Sequence, residues 1–144
     1  IVKAKPNVIG HNVETVKRLS SSIRDLRANY KQSLKVLKYV KELDSNIFTK
    51  SSLMLGLGES EEEILQTAQE LRDVDVDIIT LGQYLQPTLS HLSVKEFVTP
   101  EKFYQLKLDL KKLGFLHVES GPFVRSSFRA SDVIDLIIKN TDKE

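Results

Sequence analysis

Residues Ile47 to Leu71 read IFTKSSLMLGLGESEEEILQTAQEL. The opening run, Ile47 to Leu57, is rich in Ile, Phe, Thr and Leu and is closed by Gly56 and Gly58. That composition predicts a buried strand running into a glycine turn. Ser60-Glu61-Glu62-Glu63 follows and has the form of a capping box, with the serine oxygen on the N3 amide and Glu63 reaching back to the serine N–H. Ile64, Leu65, Ala68 and Leu71 then recur at helical spacing. The three leading glutamates suit the positive end of a helix dipole. Strand, tight turn and helix within 25 residues is half of a βαβ unit.

The same alternation extends in both directions. Val8-Ile9 is a short apolar run before Gly10-His11-Asn12, and a helix capped at Asn12 or a neighbour is predicted through about Arg24, with Val13, Val16 and Leu19 as its stripe. A second helix is predicted over Ala28 to Leu43, with Tyr30, Leu34, Leu37, Val40 and Leu43 on one face. Val76 to Leu85 is a near-continuous apolar run, as expected of a parallel strand covered on both faces. Pro87 to Ser93 reads as a loop. Thr99-Pro100 reads as an N-cap with proline at N1, opening a helix that carries Phe103, Leu106, Leu110 and Leu113. Phe115 to Val118 is a last short strand, Arg125 to Ala130 a polar loop and Asp132 to Lys139 a final helix. Strands alternating with helices imply an α/β fold with a parallel sheet. Three or four strands are fewer than the eight of a closed barrel, so part of a barrel or a small open sheet is expected.

Composition sets the bounds. The chain has 144 residues, 40% apolar and 28% charged, the make-up of one globular domain. No run nears the ~18 apolar residues of a membrane span. With 21 Lys+Arg against 20 Asp+Glu, neither nucleic acid nor a membrane surface is expected as a partner, and a soluble protein is. There is no cysteine, which excludes disulfides, a thiolate nucleophile and a cysteine-held metal or iron–sulfur site made by this chain alone. The chain opens without Met, on residues that form neither a signal nor a transit peptide, and reads as a processed or truncated piece.

In parallel α/β folds chemistry gathers at the C-terminal strand ends. There the sequence places His11, Asn12 and Glu14; Lys50, Ser51 and Ser52 with Gly56, Gly58 and Glu59; Gln83 to Pro87; and Gly121-Pro122 with Arg125-Ser126-Ser127. Gly56-Leu57-Gly58 ahead of a helix could cradle an anion, but lacks the third glycine of a dinucleotide site and the Lys-Ser/Thr of a P-loop, so a plain turn is the simpler reading. His11, His91 and His117 show no ligand spacing for zinc. Ser126 and Ser127 have no adjacent base for nucleophilic work. Glu14 could cap its own helix.

Five strings carry the reading further: HNVET (His11 to Thr15), RANYKQSLKVLK (Arg27 to Lys38), TKSSLMLGLGE (Thr49 to Glu59), TLGQYLQP (Thr80 to Pro87) and GPFVRSSF (Gly121 to Phe128). Together, and in this order, they strongly resemble the lipoyl synthase family, over about Val8 to Ala130. The resemblance implies a radical S-adenosyl-L-methionine enzyme with a partial (β/α)6 TIM-like barrel. It inserts two sulfur atoms at C6 and C8 of a protein-bound octanoyl-lysine. One 4Fe–4S cluster on a CX3CX2C motif cleaves S-adenosylmethionine, and an auxiliary 4Fe–4S cluster on a CX4CX5C motif donates sulfur. Both cysteine motifs lie N-terminal to the matched region, so residues 1–124 would be the C-terminal half of the barrel and 125–144 an extension carrying the serine motif. The chain alone would be inactive.

The family's C-terminal RSSY motif gives a serine to the auxiliary cluster. Here it is Arg125-Ser126-Ser127-Phe128, which makes Ser126 the expected ligand, Ser127 the alternative, and Arg125 the group that stabilises the charge. Phe128 stands where the family has tyrosine. Asn12, Lys50, Ser52, Gly56, Gly58, Glu59 and Gln83 are the expected cofactor-binding residues, facing S-adenosylmethionine and the octanoyl chain. The family has asparagine at the place of Gly10 and glycine at that of Ser52. Implied partners are an octanoylated lipoyl carrier domain or the glycine-cleavage H protein, and an electron donor such as ferredoxin or flavodoxin. Mitochondrion, plastid-type organelle (apicoplast) and bacterial cytoplasm all host this chemistry. A biotin synthase-like sulfur-inserting enzyme and a non-catalytic α/β binding module are the competing readings. Half a barrel would leave an exposed strand edge, from which marginal stability or self-association is expected.

Overall fold

The computed structural model describes all residues except 26, 128, 129 and 142–144, so Phe128 of the serine motif lies outside the described residues. After a 3-10 turn at Val2–Ala4, the order is β1 (Val8–Gly10), α1 (Lys17–Ile23), α2 (Tyr30–Leu43), β2 (Phe48–Leu55), α3 (Glu61–Asp73), β3 (Ile78–Gln83), α4 (Pro100–Lys111), β4 (His117–Ser120) and α5 (Ala130–Thr141). The strands form one parallel sheet in the order β1-β2-β3-β4. This is the expected α/β alternation, with each strand beside its sequence neighbour. The described sheet is open and ends on β1 and β4. No helix among the described residues is long and apolar enough to cross a membrane.

The register assigns two faces. Leu53, Leu55, Ile79, Leu81 and Val118 join Leu37, Ile64, Ala68, Leu71, Phe103, Leu106 and Leu110 in one buried cluster. Helices α2, α3 and α4 therefore cover this outer face. The alternate residues, Lys50, Ser52 and Met54 on β2, Ile78, Thr80 and Gly82 on β3 and Glu119 on β4, take the other face. Below, that inner face is closed by a small cluster of Phe48 and Ile78 with Val133 of α5. Above, it is polar.

The caps follow the sequence. Asn29 accepts the Gln32 amide at 2.8 Å and Thr99 accepts that of Lys102 at 3.2 Å. Ser60 and Glu63 complete the capping box, at 3.3 and 2.8 Å. One expected helix is corrected. The chain does not turn helical at Asn12: Glu14 has a φ of 66° and bridges Leu53, with its amide on the Ser52 carbonyl and its carbonyl accepting from Met54. Residues 13–16 thus continue alongside β2, and α1 starts only at Lys17, after Val16, which makes no side-chain cap. Val13 and Val16 are buried as their hydrophobicity requires, on either side of a tight turn in which the Thr15 amide bonds the Val13 carbonyl at 2.8 Å. Leu43, placed on the apolar stripe of α2, is half-exposed at its end.

Two polar ties hold the layers. At the lower end, Asp77 accepts the Thr49 amide at 2.7 Å and pairs with Lys41 of α2 at 2.6 Å, both side chains being largely buried. At the upper end, Arg18 of α1 grips Glu63 of α3 at 2.7 and 3.0 Å and the Gly58 carbonyl at 2.9 Å. The Arg18 guanidinium, with the Ser60 amide, holds the Glu63 carboxyl at about 2.

Asp77→Ala is expected to cost about 3 kcal/mol, since it strands Lys41 and a strand amide, and urea titration reads the loss directly. The Glu63 tie is present above the carboxyl's ordinary 4.5 and is lost as pH falls towards about 2. Arg18→Ala should therefore flatten the acid limb of stability between those pH values while leaving the neutral-to-basic limb parallel, in melts recorded across the range.

Candidate functional site

All four strands run the same way, so their C-terminal ends share one rim. What fills the rim is the segment after β4. The Gly121 amide bonds the Leu81 carbonyl at 3.1 Å and turns the chain inward. The Val124 carbonyl then lies directly against Gly82, where any Cβ would collide with it. Arg125 folds its guanidinium onto the carbonyls of Val124 (2.8 Å), Gln83 (3.4 Å) and Pro122 (3.4 Å). Lys50, the third residue of β2, donates to the Ser126 carbonyl. Residues 121–127 therefore cross the strand ends as a strap.

The strap divides the rim into two adjoining clefts. The first, about 380 Å³, is lined by Asn12, Glu14, Ser52, Met54, Gly82, Gln83, Leu85, Arg125 and Ser126 among others. The second, about 450 Å³, is lined by Gly10, His11, Asn12, Glu14, Arg24, Lys50, Ser126 and Ser127. Asn12, Glu14 and Ser126 border both. Ser126 and Ser127 are exposed, and neither hydroxyl has a hydrogen-bond partner among the described residues.

The second cleft is cationic against one carboxylate. Lys50 is only 8% exposed and faces no carboxylate partner among the described residues; burial pulls its ammonium below the usual lysine range. His11 is lowered too, first by burial and then by Arg24, with Glu14 opposing. Its Nε2 lies 3.0 Å from the Ser33 hydroxyl, which also accepts from Arg24 at 2.7 Å. A neutral imidazole beside two cations and two free hydroxyls suits an anionic or strongly polar ligand. Thr80, in the same inner row as Ser52 and Glu119, is buried with its hydroxyl unpartnered.

The expected site residues divide. Asn12, Lys50, Ser52, Arg125 and Ser126 do line the clefts, and Ser127 lines the second. Gly56, Gly58 and Glu59 do not. The glycine turn is filled from within: the Glu59 carboxylate accepts the amides of Gly56 at 2.6 Å and Leu57 at 3.0 Å. Gly56, at a φ of 99°, packs against the Glu96 carbonyl and the Gln83 amide. Gln83 borders the first cleft, yet its amide is spent. Its Nε2 donates to the carbonyls of Tyr84 and Glu96, at 2.9 and 3.0 Å, and its Oε1 accepts from Val98 at 2.9 Å. It latches the 84–98 loop. Glu14, read from the sequence as a rim residue with a helix cap as its alternative, lines both clefts. Arg24 lines the second, and its sequence reading as the end of a helix carries no signal for that.

The donor set limits which metal chemistry fits. No trio of His, Cys, Asp or Glu among the described residues could hold an ion, and the sequence has no cysteine. One unpartnered serine oxygen cannot carry an iron–sulfur cluster, but it fits as a single ligand to a cluster held by thiolates elsewhere.

No family model matches the chain. Curated relatives do. It is 54% identical to the lipoyl synthase of Myxococcus xanthus over 132 residues, which are 92% of this chain and 44% of that protein. It is 55% identical to the mitochondrial lipoyl synthase of Trichoplax adhaerens, over 92% of this chain and 38% of that one. The chloroplastic lipoyl synthase of Ricinus communis matches at 53% over all 144 residues, 39% of its length. The chain spans about two fifths of the length of these relatives. Identity above half along nearly every residue, on a parallel sheet with a polar rim, makes this chain a member of the lipoyl synthase family.

Proposed function

We propose that the full-length protein is a lipoyl synthase, inserting sulfur at C6 and C8 of a protein-bound octanoyl chain, and that this chain contributes the polar rim and one cluster ligand, Ser126. The observation that carries the reading is the position of Ser126. It is the one serine bordering both clefts with its hydroxyl unpartnered among the described residues, while its backbone is tied to Lys50. Ser127 borders one cleft only.

In this reading the auxiliary 4Fe–4S cluster, held mainly by cysteines outside this chain, supplies the sulfur, and the S-adenosylmethionine bound at a second 4Fe–4S cluster supplies the radical chemistry. The residues here bind and orient. Ser126 offers a hard oxygen, easier to displace from iron than a thiolate, which suits a cluster that must open. Arg125 keeps its charge close by while its N–H groups serve the strap, so the serine oxygen sits in a positive field. Asn12, Ser52 and Glu14 give donors and acceptors for S-adenosylmethionine at the rim, and Arg24 favours a carboxylate in the second cleft. Leu85 and Met54 make the first cleft apolar on one wall, as an acyl chain needs. The partners follow from the reaction: an octanoylated lipoyl carrier domain or H protein, and a ferredoxin or flavodoxin.

The full-length protein, purified without oxygen, should bind about eight iron atoms, the sum of two 4Fe–4S clusters. Ser126→Ala should lower thiolation of an octanoylated carrier peptide by about 100-fold, the scale of losing a metal-site contact, with Ser127→Ala within a few-fold of the parent. About four or no iron atoms, with no thiolated product, would overturn the reading.

A further inference from the structure

Lys50 belongs to the sheet, yet its ammonium is spent on a peptide carbonyl 76 residues away. It stands on the inner face of β2, level with Gly10 on one side and Ile78 on the other. A buried cation without a carboxylate is costly unless its hydrogen bonds hold something in place. What it holds is the Ser126 peptide. From the other side, Gly82 admits the Val124 carbonyl against the strand, and Arg125 closes the turn on three carbonyls. The acceptors in these contacts are backbone carbonyls only. The Ser126 hydroxyl is left unpartnered among the described residues, at the border of the two clefts.

We infer that Lys50 is a positioning residue: it fixes the peptide of Ser126 over the strand ends so that the serine hydroxyl is presented at the junction of the clefts. The inference rests on Ser126 being the cluster ligand, and it replaces direct cofactor contact as the first role of Lys50. It requires a donor that spans from the third residue of β2 to the strap, so a longer donor should serve and an isosteric apolar chain should not. It also requires that lifting the strap by other means reproduce the defect. A Cβ at residue 82 would do so, since it meets the Val124 carbonyl.

The experiment uses the full-length enzyme with both clusters loaded, in Lys50→Met, Lys50→Arg, Gly82→Ala and Ser126→Ala forms. Three readouts are taken: amide exchange of residues 121–127, the Mössbauer spectrum of the auxiliary cluster, and S-adenosylmethionine affinity. Lys50→Met should speed exchange of the strap about tenfold, the loss of one charge-assisted hydrogen bond, and Gly82→Ala should speed it at least as much by displacing the Val124 carbonyl. Both should shift the auxiliary spectrum towards that of Ser126→Ala, with iron content and S-adenosylmethionine affinity kept. Lys50→Arg should restore the parent spectrum. If Ser126→Ala shifts the spectrum and a folded Lys50→Met does not, the positioning role is overturned. If Lys50→Met weakens S-adenosylmethionine about tenfold with strap exchange unchanged, Lys50 is a cofactor contact instead. If Lys50→Met does not fold, Gly82→Ala and Lys50→Arg decide: a parent spectrum with a lifted strap overturns the inference. If Ser126→Ala leaves the spectrum unchanged, the ligand reading itself fails and the inference with it.

Discussion

Everything at the rim depends on one close approach of backbone to backbone, the Val124 carbonyl against Gly82. A strand residue ordinarily presents a side chain to the inner face, which would hold the following segment several ångströms away. Gly82 presents none. The strap can then lie on the sheet itself, within reach of Lys50 and of the Gln83 carbonyl. Gly56 solves the same problem on the neighbouring strand end, admitting the Glu96 carbonyl and the Gln83 amide so that the 84–98 loop also packs down. Two glycines at adjacent strand ends thus convert an open sheet edge into a floor with two overlying segments.

Much of this was legible in the sequence. The capping box at Ser60, the Thr99-Pro100 start and the apolar strand runs are local signals, and the structure has each of them. Periodicity gave the outer face because the helices bury it. The misreadings share a cause. Asn12 to Val16 has apolar residues at three-residue spacing, but β2 offered its backbone as a partner, and Glu14 took a left-handed conformation to accept it. Gly56, Gly58 and Glu59 resemble an anion cradle because they are one, filled by its own carboxylate. Sequence spacing cannot tell a donor that faces a ligand from one already satisfied. Gln83 shows the same: a polar residue at a strand end, in the right place, with nothing left to give.

The resemblance and the physics divide the work. Family membership rests on identity along the chain, and says which chemistry to look for. The resemblance implies Ser126 as the ligand; the structure adds that its peptide carbonyl accepts from Lys50 and that it borders both clefts. The absence of cysteine, an exclusion at first, becomes a division of labour in this reading: soft ligands from elsewhere, one hard oxygen from here.

The strap also has a place in time. The other ties in the sheet join each strand to the one before it, across the 28 to 40 residues that a parallel crossover needs. The Lys50–Ser126 bond spans 76 residues, the longest reach of any side-chain hydrogen bond among the described residues. Its loop-closure entropy is repaid only once the intervening strands have docked. In chain order the serine motif follows all four strands, so the strap can be held over the rim only by a sheet whose other strands are already in register.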